Sequence, residues 1–98
     1  MKLIWSDDAI QERNDIFAYI SADSLIAALT MDELLSERAR NLLEFPHIGR
    51  PGMLPDTREL TMHPNYRLVY ELVGDDVHIL NVVHARRDWQ EGQAIFGS

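Results

Sequence analysis

The chain has 98 residues, 46% of them apolar, with no cysteine and a formal net charge of -7. That length supports a single domain with its own core, and the lack of cysteine excludes a disulfide framework or a thiolate metal site. No window approaches the roughly 18 apolar residues of a spanning helix. The acidic total argues against an unguided grip on a phosphate backbone, which needs clustered cations.

Lys2 to Trp5 is short, apolar and bounded by polar residues, as expected of a first strand. The chain then turns to charge, unlike a secretory signal, so a cytoplasmic protein is expected. Ser6 followed by Asp7 and Asp8 predicts a helix start, because a hydroxyl cap satisfies free N–H groups and the acids complement the dipole. The helix is expected to reach about Ser21, with Ile10, Arg13, Ile16, Phe17 and Ile20 on one face. Asp23 and Ser24 cap a second helix, from Leu25 to about Phe45, whose buried stripe is Met31, Leu34, Leu35, Ala39 and Leu42. Pro46 stops it. The short link between the helices predicts an antiparallel hairpin.

Residues 45–57, FPHIGRPGMLPDT, hold three prolines and two glycines, so a loop without regular structure is expected. Arg58 to Met62, Tyr66 to Val73 and Val77 to His84 then read as three strands. The turns are His63-Pro64-Asn65 and Gly74-Asp75-Asp76, and such short connectors predict antiparallel pairing. From Gln90 the pattern loses its period, and residues 90–98 are expected to form a flexible tail. The predicted fold is therefore a single α+β domain, β-α-α-β-β-β, with the helical hairpin packed on a small antiparallel sheet.

Charge is unevenly spread. Residues 1–45 carry nine acids against four bases, whereas residues 46–89 carry six acids, five arginines and all four histidines. The GRPG stretch precedes no helix and fails as a phosphate loop. The histidines are scattered and no cysteine assists them, so neither a metal nor a cofactor is expected. What remains is an arginine set: Arg58, Arg67, Arg86 and Arg87. Neighbouring strands bring such positions to one side of a sheet, and arginine suits recognition of carboxylate or phosphate. The plainer reading pairs them with Glu59, Glu71 and Asp88 as solvated ends. Tyr70 and Leu72 are expected in the core, on the face opposite Arg67. Trp5 and Trp89 read as packing groups at strand ends. His84 ends a strand beside two arginines, where a neutral imidazole would suit a base.

The ordered set WSDDAIQERNDIFAYI, FPHIGRPG, TREL, NYRLVYEL and ILNVVHARRDW, over about residues 2–89, resembles the RelE/ParE superfamily of bacterial toxins from type II toxin-antitoxin modules. The long helical hairpin, the P-x-x-G-R loop and VVHARRD are most similar to the ParE branch. The resemblance implies an α-hairpin on an antiparallel sheet and a cognate antitoxin as partner. ParE-like members poison DNA gyrase, whereas RelE-like members cleave messenger RNA on the ribosome. Carried over by position, the ribonuclease pattern puts arginines at Arg67 and Arg86. Two further basic residues would fall near Arg58 and Leu60, and a tyrosine near Gly92, so two of these are lost.

The function expected is gyrase inhibition by binding, through Arg58, Arg67, His84, Arg86, Arg87 and Trp89, without membrane association or sequence-specific DNA binding by this chain alone. The alternative is a ribosome-dependent endoribonuclease using Arg67, Arg86, His84 and Glu59. A third reading is an inactive homologue that still binds antitoxin.

Overall fold

A computed structural model describes residues 1–84 of the chain. In chain order its elements are β1 (Leu3–Trp5), α1 (Asp7–Ser21), α2 (Leu25–Glu44), β2 (Arg50–Pro51), β3 (Thr57–His63), β4 (Tyr66–Val73) and β5 (Asp76–His84). The five strands form one sheet in the order β1-β5-β4-β3-β2. Helix termini fall where the caps predict them. The Ser6 hydroxyl accepts from Ala9 N–H, and the Ser24 hydroxyl accepts from Ala27 N–H. Each satisfies one free donor of a first turn.

Both helices pack on one face of the sheet. Ala9 of α1 and Leu35, Ala39 and Leu42 of α2 meet Leu60, Met62, Tyr66, Leu68, Tyr70, Val77, Ile79 and Val82 in a single core. The α2 stripe is as the periodicity predicts, with Met31 and Leu34 at its margin. In α1 the stripe is narrower: Ile16 and Ile20 join the core while Ile10 is exposed. A helix on a sheet buries little more than a third of its circumference, and Ala9, one position before Ile10, takes the central place. Arg13 stays on the inner side as a clasp. Its guanidinium pairs with Asp32 of α2 at 2.7 Å and lies 4.9 Å from the Trp5 ring centroid.

Two features of the sheet differ from the sequence reading. The supposed featureless loop contains β2, a two-residue strand pairing Arg50 with Glu59 and Pro51 with Arg58. A sheet edge is where a residue lacking an N–H donor is tolerated, so Pro51 does not forbid this pairing. The second concerns β1, which runs parallel to β5 with Leu3 opposite Val77 and Trp5 opposite Ile79, while every other pair is antiparallel. The two hairpin turns close on Pro64-Asn65 and Gly74-Asp75. Gly74 has φ 59°, a left-handed conformation that glycine adopts without steric cost. The expected tail from Gln90, and the segment from Ala85 that precedes it, lie outside the described residues.

Candidate functional site

Alternation along the strands decides which side chains can act together. Cross-strand pairs put Leu60 opposite Leu68, and Tyr70 opposite both Arg58 and Ile79, all on the helix-covered face. The other face therefore carries Glu59, Thr61, Arg67, Val69, Glu71 and Val83. Among the described residues no element packs over it.

On this outer face Arg67 and Glu59 come together. Arg67 Nη1 lies 3.5 Å from Glu59 Oε1, and both side chains are mostly shielded, 19% and 12% exposed. Arg50 reaches the same oxygen from β2 at 4.0 Å, with its own side chain largely in solvent. Glu59 Oε2 also accepts a long bond from Met53 N–H at 3.4 Å. One carboxylate thus holds two guanidinium groups and a loop amide. Shielding strengthens such a pair relative to a solvated one, because less water screens it.

Arg58 does not join this group. The expectation that Arg58 and Arg67 share a side of the sheet is corrected by the register. Leu60 and Met62 occupy the core face of β3, so Arg58, two residues before Leu60, shares their side, whereas Arg67 follows core-facing Tyr66 and faces outward. Arg58 Nη1 instead donates to Gly49 O at 2.8 Å and His47 O at 3.3 Å. The β3 positions on the Arg67 side are Glu59 and Thr61, an acid and a hydroxyl. Leu60, where the resemblance would place a basic residue, is a core residue.

His84 lies opposite Tyr66 on the helix face, its ring edge-on to Tyr66 at 5.0 Å. His63 flanks the same tyrosine at 5.9 Å. His84 and Arg67 therefore sit at the same end of the sheet but on opposite faces. Arg86, Arg87 and Trp89 lie outside the described residues. No group of three or more histidines and carboxylates placed to hold a metal ion occurs among the described residues. No helix there is long and apolar enough to cross a membrane.

Two residues with structural roles escaped the sequence reading. Arg50 sits in a loop that seemed to lack pairing, and only its place in the P-x-x-G-R motif marked it. Tyr70 was expected as plain core, yet its hydroxyl has polar work. It donates to Pro46 O at 2.8 Å and accepts from Gly49 N–H at 2.9 Å. Burial raises its pKa above the ordinary 10.0, against smaller lowering effects from the Gly49 hydrogen bond and Arg58. Nothing in the alternation of β4 separates such a tyrosine from a phenylalanine.

Comparison with known proteins agrees with this arrangement. The family described as "ParE toxin of type II toxin-antitoxin system, parDE" matches residues 3–89. The relative Y4kP of Sinorhizobium fredii is 31% identical over 90 residues, 92% of this chain and 94% of its own length. Toxin RelE2 of Caulobacter vibrioides is 33% identical over 86 residues, 88% of this chain and 97% of its own. In fold, the chain is similar to a structure of the chromosomal ParDE toxin-antitoxin system from P. aeruginosa, with a TM-score of 0.76 and 23% identity over 86% of this chain and 95% of that one. The strand–helical hairpin–sheet order and the extended match along the sequence lead to one assignment: the chain belongs to the ParE toxin family of type II toxin-antitoxin systems, within the RelE/ParE superfamily.

Proposed function

We propose that this toxin arrests growth by binding DNA gyrase, without cutting RNA, and is neutralised by an antitoxin. The observation that supports the binding reading is the Arg67–Glu59 pair. Cleavage of RNA through the 2′-hydroxyl needs a base, cations for the charge that develops on phosphorus, and an acid for the leaving oxygen. Here the carboxylate offsets the charge of Arg67, and β3 offers no second cation on that face. His84 faces the other way. A protein-binding role asks less: a shaped surface with a few fixed charges, to which Arg67 and His84 at one end of the sheet would contribute together with Arg86, Arg87 and Trp89.

The ribonuclease reading keeps one point in its favour. Glu59 beside Arg67 supplies a carboxylate next to a cation, the elements of a base and a phosphate clamp. An inducible strain separates the two readings through the incorporation of labelled DNA and protein precursors in the first minutes after induction. The expected outcome is failure of DNA synthesis first, with translation intact. Alanine at both Arg86 and Arg87 should remove the arrest while the purified variant melts as the parent does. Early failure of translation would overturn the gyrase reading and make Glu59 and Arg67 the residues to test.

The antitoxin, in this proposal, covers a different surface. Leu25, Ile26 and Leu29 of α2 and Ile10 of α1 are exposed apolar residues on the hairpin, and β1 is a sheet edge. An amphipathic segment on the hairpin, or a strand added to that edge, would bury them.

A further inference from the structure

The loop between α2 and β3 combines two properties that do not usually go together. Its backbone is held firmly from inside. Tyr70 binds it at Pro46 and Gly49, Arg58 binds the His47 and Gly49 carbonyls, and Glu59 accepts from Met53 N–H. Gly52 N–H donates to Thr57 O at 2.8 Å, and the Thr57 hydroxyl donates to Leu54 O at 2.7 Å. Gly49 and Gly52 permit these close approaches, since a Cβ at Gly49 would fall 2.6 Å from the Tyr70 hydroxyl and one at Gly52 would collide with the Thr57 hydroxyl. Yet the outward side of this ordered loop is apolar. Phe45, Ile48, Met53 and Leu54 are 55%, 57%, 79% and 67% exposed.

Large apolar groups shown to water on a firmly held frame are the mark of a contact surface, because a preorganised loop loses little entropy on docking. The local charge indicates the kind of partner. Residues 46–67 hold three arginines against two acids, a surplus of one positive charge, whereas residues 1–45 carry five more acids than bases. Arg50 is on the loop itself and shares Glu59 with Arg67, so the apolar tip continues into the outer-face charge cluster. A nucleic acid is a poor match, since base stacking calls for aromatic platforms and only Phe45 of the four is aromatic.

Resting on the target-binding reading above, we infer that loop 45–55 is a protein-docking element that inserts Met53 and Leu54 into an apolar pocket rimmed by carboxylates on the target. Arg50 then meets the rim. The loop supplies affinity that a charge cluster already paired within the chain lacks, because buried apolar anchors dominate interfaces.

The test compares the parent with Met53→Asp and Leu54→Asp, using purified bacterial DNA gyrase in a binding assay, growth arrest in cells and thermal melting. Both positions are exposed, so the melting midpoint is expected to hold. Each variant should weaken gyrase binding by about tenfold or more, as loss of an interface anchor does, and should relieve the arrest. If either aspartate lowers the midpoint, Met53→Ser and Leu54→Ser repeat the comparison with smaller perturbation. Unchanged binding and arrest in the folded variants would overturn the inference while leaving the gyrase reading intact. If the parent arrests growth without binding gyrase, and the loop variants relieve that arrest, the gyrase reading fails and the docking loop stands. Loss of cross-linking to RNA in the loop variants, where the parent shows it, would overturn the assignment of a protein partner.

Discussion

Tyr70 joins core to surface through one atom. Its ring is fully buried among apolar neighbours, while its hydroxyl bridges Pro46 O and Gly49 N–H of the loop that carries Arg50. Removing the hydroxyl leaves a buried donor on Gly49 without its acceptor, a loss of roughly 1–3 kcal/mol. Tyr70→Phe is therefore expected to lower the chemical denaturation midpoint and to loosen the loop, read as faster amide exchange at Gly49. The variant also carries a pH signature. The folded pKa of Tyr70 is raised by burial, so the folded state holds its proton when the unfolded state releases it. Its contribution to stability is complete below the ordinary tyrosine value and declines as pH rises past about 10 toward the folded pKa. The stability difference between parent and Tyr70→Phe should shrink above pH 10, as measured by denaturant titration across that range.

At the scale of elements, the parallel β1–β5 pair is the feature that closes the fold. β1 stops at Trp5, and beyond it α1 covers the edge of β5 with side chains. Ser6 N–H donates to Ile79 O at 2.9 Å, and the Ser6 hydroxyl donates to Leu80 O at 2.7 Å. The Glu12 carboxylate accepts from Val82 N–H at 3.1 Å and from the Asn81 side chain at 3.2 Å. The first helix thus does for that edge what a longer strand would do. Glu12→Ala should free these donors at a cost of about 1–2 kcal/mol, lowering the melting midpoint by several degrees in a domain of this size. Glu12→Gln, which keeps an acceptor, should recover most of the loss. An unchanged midpoint in Glu12→Ala would mean that water satisfies Val82 as well as the carboxylate does.

For the whole molecule, the formal charge of -7 and pI near 4.8 set how it meets polyanions. Affinity for a phosphate backbone comes from released counterions and scales with the cations that contact it. The described cations near the outer face are held by Glu59, and the N-terminal half is acidic. Binding to single-stranded RNA should therefore be weak even at low ionic strength, with a slope of log K against log salt close to zero. Fluorescence anisotropy across a salt series measures this. A steep slope would mean that several phosphates are contacted at once, and would revive the ribonuclease reading.

Much of the fold is written locally. Caps at Ser6 and Ser24, helical spacing in α2 and two short turns act over a few residues, so periodicity and turn chemistry alone define α1, α2, β4 and the antiparallel β3–β4–β5 meander. The overlong stripe assigned to α1 shows the limit, because the sheet rather than the helix decides how wide the buried face is. Within the site, the residue types were legible, since Arg67, Glu59 and the arginine-rich end stand out by chemistry. Their grouping was not. Whether Arg58 or Glu59 shares a face with Arg67 depends on the parity of β3 against β4, and a one-residue change in that parity exchanges the two faces. The pairing of Leu3 with Val77, the β2 bridge at Arg50 and the hydroxyl contacts of Tyr70 likewise join residues far apart in the chain. Sequence by itself determined the elements, their order and the inventory of charges. Tertiary structure alone decided which strand β1 joins, which carboxylate holds Arg67, and how a proline-rich loop is fixed with its apolar side chains facing water, because those contacts exist only once distant segments have packed.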